Sequence, residues 1–280
     1  MNNIIDKILA IVVIYNKGLS DSETLISLGA DIVREGSVLD LFIYDNSAIQ
    51  QSGASIRGFN ILNHHFDGEN VGVSAAYNMG AKYAKALGKE WVLLLDQDTS
   101  FFPGALKEYC KNVEENSEVN LFSPIIKLAS GVIFSPFKKI FKRGIALKEV
   151  SPIRYSLKRY APVNSGILVR VAAFEMAGGY NEKVKLDFSD MEFISRFSNH
   201  NDNFKVINTI CLQDFSNDIT DVEVLNRRFA FFCDGVKNCR RKNVYEDFQY
   251  FVVVLIRLIM LMVRTRKTRF ITTFYKNYIK

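Results

Sequence analysis

Residues 8–15, ILAIVVIY, form an unbroken run of apolar, mostly β-branched side chains, and no other feature limits the fold of this chain as much. A strand with one wet face alternates apolar and polar positions. A run with no polar position suits a strand buried on both faces, which in practice means a parallel sheet covered by helices. Residues 41–44, 59–62 and 91–95 repeat the strand signal. Helical spacing fills the gaps between them. Leu25, Ile26, Leu28, Ile32 and Val33 follow a candidate capping box from Ser20 to Glu23, residues 73–87 stop at Gly88, and Pro103 opens 103–115. Strand and helix alternating in this way predict a doubly wound α/β fold with a mostly parallel sheet.

Further along, the spacing predicts a strand at 163–169, a short helix at 172–177 ended by Gly178-Gly179, and a helix at 187–197 carrying Asp187, Asp190 and Glu192. A strand at 204–211 and a helix at 221–241 follow, while residues 138–159 show no period and read as a surface excursion. The expected division is an α/β domain over 1–240 and a basic amphipathic helical segment over 241–280.

With 48% apolar and 24% charged residues, the chain is excluded from disordered and fibrous classes. Its net charge of +6 conceals an uneven distribution: residues 237–280 hold eleven basic and two acidic side chains, and residues 138–159 hold eight and one. The remaining body is acidic. Four cysteines (110, 211, 233, 239) without a Cys-x-x-Cys, and only three histidines, indicate neither a zinc site nor a disulfide framework. A reducing, cytoplasmic setting is expected. The first apolar run follows Asp6-Lys7, a flank whose side chains carry no net positive charge, and is short for a signal core, so it is read as a strand.

Residues 248–263 are sixteen mostly apolar positions interrupted by Gln249 and Arg257, fewer than the roughly 20 that span a bilayer. Arg240, Arg241, Lys242, Arg264, Arg266, Lys267 and Arg269 flank them, interleaved with aromatic residues. Such a segment predicts peripheral attachment to the inner leaflet of the cytoplasmic membrane; a core helix or a homo-oligomer contact is the alternative. No nucleic-acid recognition module is visible, and no nucleic-acid partner is expected.

In open α/β sheets ligands bind beyond the carboxyl ends of the strands. Three strand ends here carry polar groups: Tyr15-Asn16, Asp45-Asn46 and Asp96-Gln97-Asp98. Asp96 and Asp98, just past a buried strand, can present oxygen to Mg²⁺ or Mn²⁺, which would also bind a diphosphate. Asn70, Gly72 and Asn78 open the helix before that strand, where small residues let backbone approach a ligand or, alternatively, pack the helix on the sheet.

In order and spacing, these residues resemble the inverting GT-A glycosyltransferases of family 2, and within it the bacterial rhamnosyltransferase-like members. Val12 to Asn16 is similar to the family's first-strand Thr-Tyr-Asn, with Ile14 where Thr is common. Tyr44-Asp45-Asn46-Ser47 is similar to its Val-Asp-Asn-x-Ser, Asn70-x-Gly72 to Asn78-x-Gly80 to its helix motif, and Asp96-Gln97-Asp98 to its Asp-Gln-Asp variant. Gly178 to Glu182 and Leu186 to Arg196 resemble its Gly-Gly-Phe-Asp-Glu and Asp-x-Glu segments. The resemblance implies a GT-A, Rossmann-like nucleotide-sugar-binding fold with a C-terminal membrane-associating helical segment. It implies Asp190 as general base and Asp45 as reader of the nucleobase. Tyr15, Asn16, Asn46, Asn70, Gly72, Asn78 and Asp96 would lie at the donor, with Asp96 and Asp98 at a divalent metal. Gln213, before Asp214, stands where many relatives have a metal-contacting His. The implied activity is transfer of a sugar, L-rhamnose from dTDP-rhamnose or a hexose or galactofuranose from a UDP donor, to a lipid-linked cell-surface glycan. A non-catalytic sugar-nucleotide-binding protein of the same fold is the alternative, raised by Gln213.

Overall fold

The computed structural model describes residues 2–52, 55–213 and 221–280; Asp214 lies outside them. The opening apolar run is strand β1 (Ile8–Ile14), buried at every position. It pairs in parallel with β2 (Leu39–Asp45), which pairs in parallel with β3 (Phe59–Phe66), and on its other side with β4 (Trp91–Asp96). β5 (Thr99–Phe101), β6 (Leu121–Leu128), β7 (Ile133–Ser135), β8 (Phe137–Ile140), β9 (Arg143–Ala146), β10 (Arg154–Ser156), β11 (Tyr160–Ala161), β12 (Ile167–Arg170) and β13 (Asn203–Gln213) follow.

The main sheet runs β10-β13-β6-β12-β4-β1-β2-β3, with β5 on β13 and β7 on β6. β6 and β13 are parallel to each other, and β12 is antiparallel to both β4 and β6. The expected parallel sheet therefore carries reversed strands within and at its edges. The chain leaves β1 toward β2 and later returns to its opposite side as β4. That reversal opens a crevice between the carboxyl ends of β1 and β4, where ligands bind in folds of this kind.

The helices are α1 (Asn2–Ile5), α2 (Glu23–Arg34), α3 (Val73–Ala86), α4 (Ala105–Glu115), α5 (Val171–Met176), α6 (Ser189–Phe197), α7 (Val222–Asn238), α8 (Val244–Thr265) and α9 (Arg269–Phe274). α3 lies close on β1 because Gly80 faces it; a Cβ there would sit 2.6 Å from Ile11 Cγ2. Three expectations are corrected. Ser22, not Ser20, caps α2, because a 3-10 turn over Leu19–Asp21 delays the helix and Ser22 Oγ accepts from the amide of Leu25 at 3.3 Å. Residues 138–159 are not a structureless excursion, since β8 and β9 form a hairpin, β11 completes a small sheet with them, and β10 joins the main one. β9 is exposed at every position, so no face of it had to be apolar and no alternation was written into it. Finally, α8 has 22 residues, about 33 Å of helix, because Asn243 caps it well before the apolar run. It is long and apolar enough to cross a membrane by length and composition, and 28% of its most apolar stretch is buried.

Two hydrophobic clusters result. One fills both faces of the main sheet. The other joins Leu225, Phe229 and Val236 of α7 to Tyr250, Val254, Leu258 and Leu261 of α8 and Phe270 of α9. The expected boundary at residue 240 thus runs through a single packed cluster.

Candidate active site

The crevice between β1 and β4 is held by a reciprocal pair of hydrogen bonds. The Tyr15 amide donates to Gln97 Oε1 at 2.8 Å, and Gln97 Nε2 donates to the Tyr15 carbonyl at 3.3 Å. From below, Ser22 Oγ donates to the Gln97 carbonyl at 2.8 Å and Thr24 Oγ1 to the Asp96 carbonyl at 2.6 Å. The Thr99 amide returns to Thr24 Oγ1 at 2.9 Å. The turn carrying Asp96 and Asp98 is therefore fixed by the start of α2, which leaves both carboxylates free to face the crevice.

Most residues of the donor motifs build their own loops. Asp45 is fully buried; its Oδ1 accepts from the Ser47 amide at 3.0 Å and its Oδ2 from the Gln51 amide at 2.6 Å. Each oxygen accepts one amide and so helps to shape the loop after β2. The Asn16 amide donates to Ser47 Oγ at 2.8 Å, and Asn16 itself holds a left-handed φ of 50°. Asn46 Oδ1 accepts from the Val71 amide and Asn70 Oδ1 from the Gly72 amide, both at 3.2 Å. Gly72 has φ 88°, and a Cβ there would meet the Lys185 carbonyl oxygen at 2.5 Å. The Val73 amide donates to that same carbonyl at 2.8 Å. Asn78 is likewise a positioning residue: its Nδ2 donates to the Tyr180 carbonyl and to Glu182 Oε1, each at 2.9 Å, and its Oδ1 accepts from the Tyr180 amide at 2.7 Å.

Asp96 lies within electrostatic reach of two further carboxylates, Asp98 and Asp190. Tyr77 OH donates to Asp96 Oδ1 at 2.8 Å. Burial, then the neighbouring charge of Asp98, pushes the Asp96 pKa up to about 7; Tyr77 opposes this and Asp190 adds to it. Asp98 is also raised by burial, opposed by Gln213, whose Nε2 donates to Asp98 Oδ1 at 3.3 Å. Asp190 stands in the first turn of α6 and is pushed up to about 6, chiefly by burial, against the Met191 amide that donates to it at 2.6 Å. Its position is set from behind. Tyr180 stacks on Phe193 at 4.4 Å and donates to Asn164 Oδ1 at 2.7 Å, while Asn164 Nδ2 donates to Ser189 Oγ at 3.0 Å. Glu192 is withdrawn from any ligand, buried and paired two-pronged with Arg196.

The donor set around Asp96 and Asp98 suits a hard cation. Gln213 Oε1 is buried, its Nε2 reaches Asp98, and the oxygen has no hydrogen-bond partner among the described residues. Two carboxylates and an amide oxygen are the hard donors that Mg²⁺ and Mn²⁺ take. Among the described residues no group of three or more His, Cys, Asp or Glu side chains could hold a metal by itself. The fit is thus to an ion completed by substrate phosphates, the mode in which Mg²⁺ is usually bound by one or two protein carboxylates.

On the far side of Asp190 lies a cavity of about 500 Å³, lined by the β8–β9 hairpin, the turn into α6, and α8. Phe188, just before α6, has a left-handed φ of 69°, unusual for a bulky residue, and packs on Phe232 at 5.0 Å between ring centres. Gly235 admits this turn, for a Cβ there would come within 2.7 Å of the Asp187 carbonyl oxygen. The hairpin is pinned to α8 by Lys142 Nζ on Glu246 Oε1 at 2.7 Å and by Phe141 edge-on to Phe248. The two basic segments, far apart in sequence, meet here. Tyr77, Thr24 and Gly235 were not singled out in the sequence, and Gln97 was marked only as the middle of Asp96-Gln97-Asp98. Arg257 was visible only as the charge that interrupts an apolar run.

With this geometry in place, family comparison is decisive. The family described as Glycosyl transferase family 2 matches residues 10–173, more than half of the chain, and the chain belongs to it. A dTDP-rhamnosyl transferase of Shigella flexneri, RfbF, is 26% identical over 137 residues, which are 48% of this chain and 45% of that protein. The match therefore spans less than half the length of that relative. Among solved structures, TarS 1–349 of S. aureus aligns over 90% of this chain and 72% of its own at 14% identity, TM-score 0.48. The mannosyltransferase PcManGT from Pyrobaculum calidifontis, in complex with GDP-Man and Mn2+, aligns over 94% and 73% at 11% identity, TM-score 0.49.

Proposed function

We propose that this chain is an inverting, metal-assisted glycosyltransferase that moves L-rhamnose from dTDP-rhamnose to a lipid-linked cell-surface glycan. The observation that carries this reading is the turn after β4, held by Tyr15, Ser22 and Thr24 so that Asp96 and Asp98 stand at the carboxyl end of the strand, with Asp190 within electrostatic reach of Asp96. The donor lies in the crevice against Tyr15, Asn16 and the loops organised by Asp45, Asn46, Asn70 and Gly72. The S. flexneri relative supports rhamnose as the sugar.

Asp190 takes the proton of the acceptor hydroxyl as that oxygen forms its bond to the anomeric carbon. The bond from that carbon to the donor diphosphate breaks, and its electron pair leaves with the diphosphate. A carboxyl with a pKa of about 6 is ionised at neutral pH yet more basic than an ordinary aspartate, which suits it to this step. Asp96, Asp98 and Gln213 would hold the divalent ion, which when bound neutralises charge on the leaving diphosphate. Tyr77 and Gln213 orient the two carboxylates for it.

One face of α8 belongs to the second cluster, so lipid cannot surround the helix; its exposed Phe248, Ile259 and Val263 with the neighbouring basic residues fit attachment to an anionic membrane surface. The reading is tested by thermal shift with dTDP-rhamnose, UDP-hexoses and UDP-galactofuranose, each with Mg²⁺ or Mn²⁺, followed by assay of transfer. Stabilisation by dTDP-rhamnose above the UDP sugars is expected. Stabilisation by no nucleotide sugar overturns the transferase reading, and preference for a UDP sugar overturns rhamnose.

A further inference from the structure

The turn that carries Asp98 and the start of α2 are joined by two hydrogen bonds that bracket a pair of side chains. Ser22 Oγ donates to the Gln97 carbonyl at 2.8 Å, and the Thr99 amide donates to Thr24 Oγ1 at 2.9 Å. Residues 22 and 24 flank Glu23, and residues 97 and 99 flank Asp98. The two bonds therefore bring Glu23 beside Asp98. The Asp98 carboxyl, raised chiefly by burial, is raised further by the charge of Glu23 and lowered by that of Lys17. Lys17 lies in the loop between β1 and α2, where Asn16 turns the chain with φ 50° and the backbone of Tyr15 is tied to Gln97. Its Nζ donates to Glu23 Oε2. The two side chains are 25% and 48% exposed, so the pair stands on the rim of the crevice, open to solvent. An ion pair so exposed contributes little to stability. Its place is another matter, because ligands of such sheets bind beyond the carboxyl ends of the central strands, and a lysine there offers a compact charge on a flexible stem.

We propose that Lys17 is a diphosphate-binding residue of the donor site, held in reserve by Glu23. In the structure Nζ donates to Glu23; a donor diphosphate bound at Asp98 takes that ammonium group over. Negative charge on the diphosphate grows as its bond to the anomeric carbon breaks, so the ammonium stabilises the transition state more than the bound donor. Glu23 competes with the donor for the same cation. Although ion-paired, the two residues thus act on diphosphate binding with opposite signs. The assignment rests on the reading of the crevice as the donor site.

The test is calorimetric titration of the full chain with dTDP and with UDP, each with Mn²⁺. Lys17→Gln is expected to weaken the tighter-binding nucleotide about tenfold or more, the loss of a charge-assisted contact. Lys17→Arg, which keeps the charge, should recover most of that affinity. Glu23→Gln should strengthen binding several-fold, since the competitor is gone. A clasp that only fixed the loop would weaken binding whichever partner was removed, so a fall in both Lys17→Gln and Glu23→Gln overturns the assignment. Unchanged affinity in Lys17→Gln does the same. In the double variant the Glu23 substitution should add nothing to Lys17→Gln; strengthening as large as in the single variant would mean that Glu23 repels the diphosphate directly, and overturns the competition. If Lys17→Gln melts early, Glu23→Gln carries the test, and binding that is weakened or unchanged overturns the proposal. Failure of the unaltered protein to bind either nucleotide overturns the donor reading of the crevice, while nucleotide binding indifferent to Lys17 overturns this assignment alone.

Discussion

The two walls of the crevice are stiffened by different means. On the donor wall, short polar side chains bond to backbone within a few residues or across neighbouring loops, as Asp45 does to Ser47 and Gln51 and Thr24 does to Asp96 and Thr99. On the opposite wall, aromatic and aliphatic side chains from the turn into α6, α7, α8 and the β8–β9 hairpin pack across long stretches of sequence, with Lys142 and Glu246 as one polar tie. Hydrogen-bonded turns tolerate little change of residue type, whereas packed apolar walls accept many combinations of similar volume.

The comparison is broken most directly at Asp190. Asp190→Asn should lower turnover by about 10²–10⁴-fold while donor binding persists, because the amide can sit in place but cannot take a proton. With a pKa raised to about 6, the base is lost as pH falls, so kcat should drop about tenfold per unit below pH 6 and level off above it. A rate unchanged down to pH 5 would remove Asp190 from that role. Next in size, Asp98→Ala should reduce turnover by roughly 10²-fold or more, as loss of charge stabilisation at a leaving group does, and EDTA should act similarly on the unaltered protein. Full activity in EDTA would detach Asp98 from any metal.

A third substitution sharpens the contrast between walls. Leu258 is buried in the second cluster, and Leu258→Ala should cost about 2–4 kcal/mol, read as faster amide exchange in α7 and α8. Nucleotide affinity should hold if the walls are stabilised separately; a parallel fall would show one cooperative unit. The smallest effect has the opposite sign. Because the Asp96 pKa is raised in the folded state, folding is favoured with Asp96 protonated, and the benefit is lost as pH rises from about 4 through about 7. Asp96→Asn should therefore stabilise the protein at pH 8, by roughly 1–2 kcal/mol, while impairing turnover. A lower Tm would mean that the carboxylate supports the turn beyond its bond to Tyr77.

The donor wall was legible in the sequence for the same reason that it is stiff. Buried parallel strands print uninterrupted apolar runs, and the turns after them need particular side chains at fixed offsets, so Asp45, Asn46, Asn70, Gly72, Asp96 and Asp98 could be picked out. Their individual tasks could not, because nothing in the order of residues says that Asp45 points both oxygens back at its own loop. The opposite wall gave little signal outside the segment around Asp190. β9 is exposed at every position and has no apolar face to print, and Arg257 acquires its meaning only when α8 folds back beside Phe188. The true start of α2 depended on a 3-10 turn whose residues also suit an ordinary cap.

Gly72 shows how the walls are joined. The donor loop touches the opposite wall at the carbonyl of Lys185, which accepts the Val73 amide, and Ser74 Oγ bonds the carbonyl before it, that of Val184. A Cβ at position 72 would strike this same point. The stretch from Lys185 to Asp190 is then a short lever whose fulcrum sits in the donor loop. An assay of a Gly72 variant that watched only nucleotide binding would miss the injury, because the displacement is delivered toward Asp190 across the cleft.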